Sequence, residues 1–458
     1  MTPRDVAGAR VVVAGAGVSG RAVVRVLRNR GAHVVVVDTA TGARQREAAE
    51  VLAAIGVEVR LGAGTDDMTG DLVVVSPGWR LDQPLLVAAR ERDLEVIGEP
   101  ELAWQLRTTS APWIGVTGTN GKTTTVGMLE AILRASGLHA VAAGNVGLPL
   151  VEAVTTEPAY DVLAVEMSSQ QLAWSTSVRF VAAAVLNLAD DHLDWHDTVA
   201  DYVNAKASIW NDATAVANLD DKQVRALMPK DAVTFSVEDR TASYAIVDDA
   251  LVENVIAGRI VSIDELQVRG PHNVANALAA TALARRAGVG VDLDAAGTGL
   301  RGYAPGRHRN EVVAEVAGVR YVDDSKATNP HATAASLAAY PSVVWVAGGL
   351  LKGADVEPLV VAHRARLRGV VLIGRDRALI ADALARHAPD VPVVEVDATD
   401  TDVMTVVVGR AAALAQPGDT VLLAPAGASW DMFTDYADRG DRFAAAARAL
   451  SQPSGDSA

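Results

Sequence analysis

One run of the chain combines glycines, hydroxyl side chains and a lysine: Gly118-Thr119-Asn120-Gly121-Lys122-Thr123-Thr124. The apolar residues 114–116 before it predict a buried strand, and residues 122–136 after it predict a helix. A strand, a glycine loop and a helix in this order form a cradle for phosphate. Backbone N–H groups and the helix N-terminus approach an oxyanion there, and the lysine adds a full positive charge. The run therefore predicts a nucleoside triphosphate site, although Val116 stands where the standard phosphate-loop motif has glycine.

Two side chains near this loop are predicted to hold Mg²⁺. Thr123 follows the lysine directly, where a hydroxyl of a phosphate loop ligates the ion. A buried strand predicted over residues 160–165 ends in Glu166, the position from which phosphate-loop proteins reach the same ion. Further along, residues 190–196 gather acids and histidines, which fits either a solvated loop or a second metal or substrate position. Lys206 lies on the helical stretch that follows and, from the sequence alone, is interpreted as a surface lysine.

Two amide side chains open an alanine-rich helix predicted up to residue 287. Asn273 and Asn276 are one helical turn apart, so both amides can face one ligand. Helix capping would explain Asn273 but not Asn276. The segment 144–149, which contains Asn145, is predicted to be a loop, and its simplest interpretation is a plain turn.

The N-terminal region has the layout of a dinucleotide site. A strand over residues 10–14 leads into the glycine turn 15–20, a helix over residues 21–30 and a strand over 33–37 that ends in Asp38. A second strand, 71–76, ends in Ser76-Pro77-Gly78 at the same edge of the predicted sheet. This pattern indicates a ligand that carries a diphosphate, and NAD remains one alternative.

The C-terminal region predicts a second doubly wound sheet after the turn-rich residues 302–306. A hairpin turns at Ala317-Gly318, and strands at 343–346, 369–373, 393–396 and 420–423 alternate with helices. Polar loops follow three of the predicted strands, over residues 323–330, 348–353 and 425–431. Because the carboxyl ends of parallel strands share one edge, these loops predict a site for a small anionic substrate.

Composition narrows the class of protein. The chain has 458 residues, no cysteine and a formal net charge of −15. Its length predicts about three domains. The acidic balance argues against a nucleic-acid partner, and the lack of cysteine excludes disulfides and thiolate metal sites. Since we find neither a membrane-length apolar run nor a signal peptide, we expect a soluble cytoplasmic protein with no membrane partner.

Together these motifs resemble the Mur ligases, the ATP-dependent amide-forming enzymes of peptidoglycan precursor synthesis. The resemblance covers nearly the whole chain, and its family-wide signals are residues 118–124, 166–169, 191–194, 206, 272–276 and 308–309. Two narrower runs, 324–329 and 425–433, are similar to the branch of the family that adds D-glutamate, as are residues 438–441. Another branch, adding a different amino acid, is the main alternative.

The resemblance implies three α/β domains. These are an N-terminal Rossmann-like sheet (1–108) for the UDP substrate, a central P-loop ATPase-like domain (109–305) for ATP, and a C-terminal Rossmann-like doubly wound sheet (306–458) for the amino acid. It also implies a monomer that joins D-glutamate to UDP-N-acetylmuramoyl-L-alanine through an acyl phosphate. ATP and two Mg²⁺ ions are the implied cofactors. One ion would be held by Thr123 and Glu166, and the other by His192 and a carbamylated Lys206.

The family's roles carry over to matching positions. The implied catalytic residues are Lys122, Glu166, His192, Lys206, Arg309 and Lys326. ATP would contact the whole run from Gly118 to Thr124, together with Asn145, Asn273, Asn276, Arg309 and Asp324. The UDP-muramoyl substrate would contact Gly17, Val18, Ser19, Asp38, Thr39, Ser76, Pro77, Gly78, Asn145, Ser168, Gln171 and His192. D-Glutamate would contact Thr328, Lys352, Ser429 and Tyr436.

Two positions depart from the family pattern. Relatives can carry arginine where this chain has Ala40, which leaves one phosphate contact unassigned, and Tyr436 stands where some relatives have phenylalanine. Three other classes of protein fit less of the chain. A nicotinamide-dependent dehydrogenase gives no role to residues 118–124, and a phosphate-loop hydrolase gives none to the flanking domains. A folylpolyglutamate-type ligase does not account for the N-terminal glycine turn.

Overall fold

The computed structural model describes residues 3–189, 195–268, 270–304, 306–397 and 403–450. Contacts within the chain divide it into two compact units, Met1–Tyr303 and Ala304–Ala458. The first unit contains two sheets and the second contains one. No described helix is both long and apolar enough to cross a membrane.

A five-stranded parallel sheet opens the first unit, in the order β3-β2-β1-β4-β5. The chain winds outward in one direction from β1 and in the other from β4, so the winding reverses between these two neighbours. The valine-rich strands are buried against helices whose apolar faces cover the sheet. The strands are β1 (Arg10–Ala14), β2 (His33–Asp38), β3 (Glu58–Leu61), β4 (Leu72–Val75) and β5 (Glu95–Gly98), and the helices are α1 (Val18–Asn29), α2 (Ala43–Ala54), α3 (Pro84–Glu91) and α4 (Glu99–Leu106).

The second sheet of this unit has nine strands in the order β14-β13-β12-β11-β10-β9-β6-β8-β7. Its strands are β6 (Trp113–Thr117), β7 (Ala140–Gly144), β8 (Val162–Glu166), β9 (Ala182–Val185), β10 (Thr214–Asn218), β11 (Val233–Phe235), β12 (Tyr244–Val247), β13 (Ala250–Glu253) and β14 (Gly258–Ser262). Its helices are α5 (Lys122–Ala135), α6 (Leu150–Ala153), α7 (Ser169–Ala173), α8 (Val199–Ala207), α9 (Lys222–Leu227), α10 (Pro271–Arg286) and α11 (Leu293–Gly302). The central strand β6 lies between β9 and β8, so its carboxyl end meets theirs at one edge.

Buried carboxylates join the two sheets of the first unit. Glu99 Oε1 accepts a hydrogen bond from Val151 N at 2.8 Å, and Glu101 Oε2 accepts from Thr176 N at 2.8 Å and Ser177 N at 3.0 Å. Both acids lie in α4 and are 2% exposed. One apolar cluster also runs from β1 and α1 into β8 and β9. The N-terminal sheet is therefore packed firmly against the central one.

The second unit contains a six-stranded sheet in the order β15-β16-β20-β17-β18-β19, parallel except for the edge strand β15. Separate apolar clusters cover its two faces, α15 and α16 on one and α12 to α14 on the other. The strands are β15 (Glu311–Val316), β16 (Val319–Asp323), β17 (Val343–Gly348), β18 (Leu367–Ile373), β19 (Val393–Glu395) and β20 (Thr420–Ala426), and the helices are α12 (Pro330–Ala338), α13 (Glu357–His363), α14 (Arg377–His387), α15 (Val403–Leu414) and α16 (Tyr436–Ala449).

The predicted fold class is confirmed, since three α/β sheets follow one another along the chain. The predicted N-terminal and C-terminal strands occur within a few residues of their expected bounds, and the hairpin turns at Ala317-Gly318. Helix α1 begins at Val18 rather than at residue 21, so its first turn includes part of the glycine run. Strands β7 and β10 to β14 were not predicted. The domain bounds at 108 and 305 remain predictions.

A glycine at the end of β17 is essential to the packing of the second unit. Gly348 has φ +121°, and a side-chain carbon there would lie 1.8 Å from Ile373 O. We expect Gly348→Ala to destabilise the unit by more than about 3 kcal/mol, because strand β18 would have to move. Thermal unfolding should show an apparent melting temperature lower by roughly 6 °C or more. Gly353→Ala is the control, since that site has φ +79° but no neighbour within 4 Å. Equal shifts in the two variants would contradict the packing argument.

Burial also makes the junction between the two sheets sensitive to pH. Burial raises the pKa of the Glu99 carboxyl to about 7 from 4.5, so the folded state holds this proton more tightly than the unfolded chain does. The resulting stability is fully present below pH 4.5 and is lost as the pH rises through 7. We expect Glu99→Gln to gain stability relative to the parent protein between pH 5.5 and pH 8.5, by at most about 3 kcal/mol. Thermal unfolding at both pH values measures this gain, with Glu47→Gln as the exposed control. A stability difference that does not change with pH would contradict it.

Candidate active site

The phosphate loop follows β6 and has a backbone that only glycine accommodates at two points. Gly118 has φ +152° and Gly121 has φ +82°, after which α5 begins at Lys122. A side-chain carbon on Gly121 would lie 2.5 Å from Asn276 Oδ1, so this amide of α10 lies directly against the loop. The structure therefore brings Asn276 to the predicted triphosphate site.

Asn187 and Tyr202, which were not predicted as site residues, hold the loop in place. Asn120 N donates to Asn187 Oδ1 at 2.8 Å, and Asn187 Nδ2 donates to Asn120 O at 3.1 Å. The Tyr202 hydroxyl lies 2.8 Å from Thr119 Oγ1. Asn187 follows β9, the neighbour of β6, and this position at a strand end was the signal that could have identified it.

Two lysines converge on one carbonyl of the loop. Lys122 Nζ donates to Gly118 O and Thr119 O, both at 2.8 Å, and Lys206 Nζ donates to Gly118 O at 2.9 Å. Lys206 is 2% exposed and lies 4.9 Å from the centre of the Tyr202 ring. The interpretation of Lys206 as a surface lysine is therefore wrong, because α8 turns this side chain inward beneath the loop.

Glu166 ends β8 beside the loop, and its two carboxylate oxygens differ. Oε1 accepts a hydrogen bond from Asn145 Nδ2 at 2.8 Å, whereas Oε2 is buried and accepts none from any described residue. A buried carboxylate oxygen without a donor is unfavourable unless a cation pairs with it. Thr123, in the first turn of α5, supplies a hydroxyl on the neighbouring element. This donor set suits a hard, oxygen-binding ion such as Mg²⁺.

The predicted second metal site lies partly outside the described residues. His192 and the acids around it, residues 190–194, lie outside them. Within the described ranges, no group of three or more acidic or histidine side chains is placed to hold a metal ion. His196, two residues after this segment, is buried, and its Nε2 lies 2.9 Å from Ser169 Oγ.

The predicted muramoyl contacts Ser168 and Gln171 cap α7. Gln171 N donates to Ser168 Oγ at 3.1 Å, and Ser168 N donates to Gln171 Oε1 at 2.9 Å. This reciprocal pair fixes the start of the helix, so both side chains have a structural role. Two of the amides predicted to contact ATP are also linked, with Asn276 Nδ2 3.4 Å from Asn273 Oδ1.

The glycine turn of the N-terminal sheet forms a crevice between β1 and β4. Ser76 Oγ lies 3.3 Å from Gly15 O, and Asp38 Oδ2 accepts a hydrogen bond from Ala16 N at 3.3 Å. Eight of the predicted contacts of the UDP-muramoyl substrate lie at this edge, at the ends of β2 and β4, in the glycine turn or in the first turn of α1, where a parallel sheet binds its ligand: Gly17, Val18, Ser19, Asp38, Thr39, Ser76, Pro77 and Gly78.

Three loops meet at the carboxyl edge of the sheet in the second unit. Leu350 and Ala428 exchange backbone hydrogen bonds of 2.9 Å, which joins the loop after β17 to the loop after β20. The first carries Lys352, whose Nζ lies 4.9 Å from the centre of the exposed Trp430 ring, and the second carries the buried Ser429. Thr328 lies on the loop after β16, whose backbone is bonded to β20 through Ala426 N.

On the loop after β16, burial shifts the pKa of one charged group and an aromatic ring stacks on another. Burial raises the pKa of the Asp324 carboxyl to about 6, although a hydrogen bond from Ser336 and the charge of Arg309 oppose the rise. Lys326 Nζ lies 3.8 Å from the centre of the Tyr436 ring, a cation–π contact. The tyrosine that replaces the family's phenylalanine therefore supports the lysine.

Arg439, which was not predicted as a site residue, connects these loops from below. It is fully buried and donates to Ser325 Oγ, Ser325 O and Gly427 O at 2.9 to 3.1 Å. Burial lowers the pKa of its guanidinium to about 10. Nearby, His308 Nδ1 and Asp323 Oδ2 lie 2.6 Å apart in the interior. A buried arginine has no signature in a single sequence, which is why this support was missed.

Comparison with known families accounts for nearly all of the chain. The MurD-like N-terminal domain of Mur ligases matches residues 9–98, the Mur ligase middle domain matches residues 116–284, and the Mur ligase glutamate ligase domain matches residues 308–427. Among solved structures, UDP-N-acetylmuramate-alanine ligase MurC from Thermotoga maritima has a TM-score of 0.63 at 19% identity, covering 96% of this chain and 99% of that one. A pseudomurein peptide ligase type C from Methanothermus fervidus reaches 0.61, also at 19%, with the same coverage. At such identities the likeness concerns the fold.

Curated relatives are much more similar in sequence. The UDP-N-acetylmuramoylalanine--D-glutamate ligase of Thermobifida fusca is 52% identical over 464 residues, covering 97% of this chain and 99% of that protein. The enzyme of that name from Streptomyces coelicolor is 50% identical over 470 residues, covering 98% and 99%. That from Mycobacterium leprae is 46% identical over 488 residues, covering 97% and 98%. With domain matches along its length and relatives this similar from end to end, the chain belongs to the Mur ligase family.

Proposed function

We propose that the protein joins D-glutamate to UDP-N-acetylmuramoyl-L-alanine in peptidoglycan precursor synthesis, with conversion of ATP to ADP and phosphate. The observation that carries the proposal is identity of about half the residues, over 97% of the chain, to an enzyme named for this reaction. The phosphate loop and the buried Glu166 beside it supply the machinery that an ATP-dependent ligase needs.

The reaction needs ATP because a carboxylate is a poor electrophile. A carboxylate oxygen of the muramoyl substrate attacks the γ-phosphorus, ADP leaves, and an acyl phosphate forms. The amine of D-glutamate then attacks the acyl carbon, loses a proton, and expels inorganic phosphate as the amide forms. The first step brings two anions together, so positioning and charge neutralisation dominate its catalysis.

Lys122 neutralises charge in that step. Its ammonium group lies on the carbonyls of Gly118 and Thr119, within the loop that would hold the phosphates. The glycine backbone and the N-terminus of α5 provide further N–H donors for the β- and γ-phosphates. Asn145, which donates to Glu166, is assigned to ATP or the acyl phosphate. Asn273 and Asn276 are assigned to the adenine of ATP.

Glu166 and Thr123 would hold one Mg²⁺, and His192 with a carbamylated Lys206 would hold the second. The donorless Oε2 of Glu166 supports the first assignment. A bound Mg²⁺ would offset phosphate charge and order the phosphate oxygens. Carbamylation would turn the Lys206 ammonium into an anionic oxygen donor, which suits a cation and would remove a buried positive charge beside Gly118 O.

The remaining roles are assigned from the matching positions of the family. The N-terminal crevice takes the UDP part of the substrate, and Ser168 and Gln171 lie toward its muramoyl part. In the second unit, the carboxylates of D-glutamate are assigned to Lys352, Ser429, Thr328 and Tyr436. Contacts with ATP are assigned to Arg309, Asp324 and Lys326. We also assign the protein a monomeric state and a cytoplasmic location.

Phosphate release with Mg-ATP and UDP-N-acetylmuramoyl-L-alanine tests the reaction. We expect release to depend on added D-glutamate, and L-glutamate, L-alanine and a diamino acid to give less than about one-hundredth of that rate. Such selectivity is expected because a misplaced carboxylate would leave buried polar groups unpaired. Release with a different amino acid would keep the ligase chemistry and overturn the assigned amino acid. No release with any of the four would overturn the proposed function.

The magnesium assignment is tested by Glu166→Gln. The amide keeps the shape of the side chain but removes the negative charge, so the Mg²⁺ concentration for half-maximal activity should rise at least about tenfold and kcat should fall about a hundredfold. Glu130→Gln is the control, since Glu130 lies on α5 in an i,i+4 ion pair with Arg134. An unchanged Mg²⁺ requirement in Glu166→Gln would remove Glu166 from the metal site.

A further inference from the structure

The crevice of the N-terminal sheet contains a side chain that nothing described so far uses. The sheet reverses its winding between β1 and β4, and ligands of such sheets bind outside the strand ends at that point. Gly15 follows β1 and Ser76 follows β4. A side-chain carbon on Gly15 would lie 2.7 Å from Ser76 Oγ and 3.1 Å from the indole nitrogen of Trp79. The Trp79 ring thus borders the crevice at the glycine turn.

The backbone of Trp79 is fixed from both sides. Trp174 Nε1 donates to Trp79 O at 2.9 Å, which ties the residue to the end of α7. The next residue, Arg80, donates to Trp195 O at 2.6 Å and to Asp197 at 2.5 Å. The ring itself packs against the apolar cluster beneath the crevice. Because the indole is already held in place, ligand binding costs little entropy in ordering it.

The polar end of this ring is available for a ligand. The Trp79 indole nitrogen hydrogen-bonds to no described residue, although those of Trp174 and Trp210 both have acceptors. Tryptophan offers a donor only, so its partner must be an acceptor. The N-terminus of α1 and the glycine turn beside it favour an anion. At residue 40, on the opposite side of the turn, the chain has alanine and therefore no cation.

We propose that Trp79 is a substrate-binding residue whose indole N–H donates to the diphosphate of the nucleoside diphosphate in this crevice. The identity of the substrate rests on the proposed function. The Trp79 contact is additional, because the proposed function does not require it. This hydrogen bond makes the crevice selective for the diphosphate part of the ligand.

Trp79→Phe tests the contact, because phenylalanine keeps the aromatic packing but removes the donor. The measurement is isothermal titration calorimetry of the full chain with UDP and, separately, with uridine. We expect the affinity for UDP to fall about tenfold, as for a lost hydrogen bond to a charged group, and the affinity for uridine to change less than about twofold. Trp104→Phe is the matched control, since Trp104 is a partly buried tryptophan of the same sheet's α4 that packs on Trp113 away from the crevice.

Each outcome separates the possibilities. An unchanged UDP affinity in Trp79→Phe would overturn the proposal, and so would an equal loss for UDP and uridine, which would indicate ring packing. A similar loss of UDP affinity in Trp104→Phe would also overturn the proposal, because it would indicate a general loosening of the domain. Ligase activity of the parent protein is assayed in parallel. Activity with an unchanged UDP affinity refutes the Trp79 contact alone, whereas a selective UDP loss without activity refutes the proposed reaction alone.

Discussion

Two ammonium groups, on Lys122 and Lys206, share Gly118 O as a hydrogen-bond acceptor. Two positive charges so near each other repel, and the burial of Lys206 leaves little water to screen the repulsion. The loop carbonyls offset part of this repulsion, but an anion above the loop would offset much more. The positions of β6, α5 and α8 all serve to maintain this arrangement, since each brings one partner to the same oxygen. With an unmodified Lys206 the loop is therefore prepared for an anion, and the proposed carbamylation of Lys206 would remove the repulsion instead.

Precise placement of that charge helps the reaction only if the muramoyl substrate is held in a fixed position relative to it. The buried acids of α4 accept hydrogen bonds from backbone N–H groups in α6 and after α7, and a continuous apolar cluster fills the space between the two sheets. As a result, the crevice at Gly15 and the loop at Gly118 belong to one compact unit. The anchoring of Trp79 and Arg80 onto α7 and residues 195–197 continues the same junction to the edge of the crevice.

The sequence predicted those parts of the structure in which one local pattern dictates the backbone. Glycine turns, valine-rich strands and a lysine after a glycine each specify a local geometry, so the positions of Gly118, Gly15 and Glu166 were foreseeable. Strands β11 to β14 were missed because they are only three to five residues long, and β12 to β14 pair antiparallel. The burial of Lys206 and of Arg439 depends on contacts between distant segments, which spacing along the chain does not encode.

The pairing of Leu350 with Ala428 has a consequence for how such a site can diversify. These loops are held together through main-chain groups, and two glycines approach the opposite loop closely: a side-chain carbon would lie 2.2 Å from Ala428 O at Gly349 and 3.1 Å from Leu350 N at Gly427. The exposed Lys352 can therefore change without unpairing the loops, whereas the buried Ser429 can accept only small replacements. The same scaffold could thus be adapted to amino acids of different size and charge by exchanging a few side chains, while its backbone stays as it is.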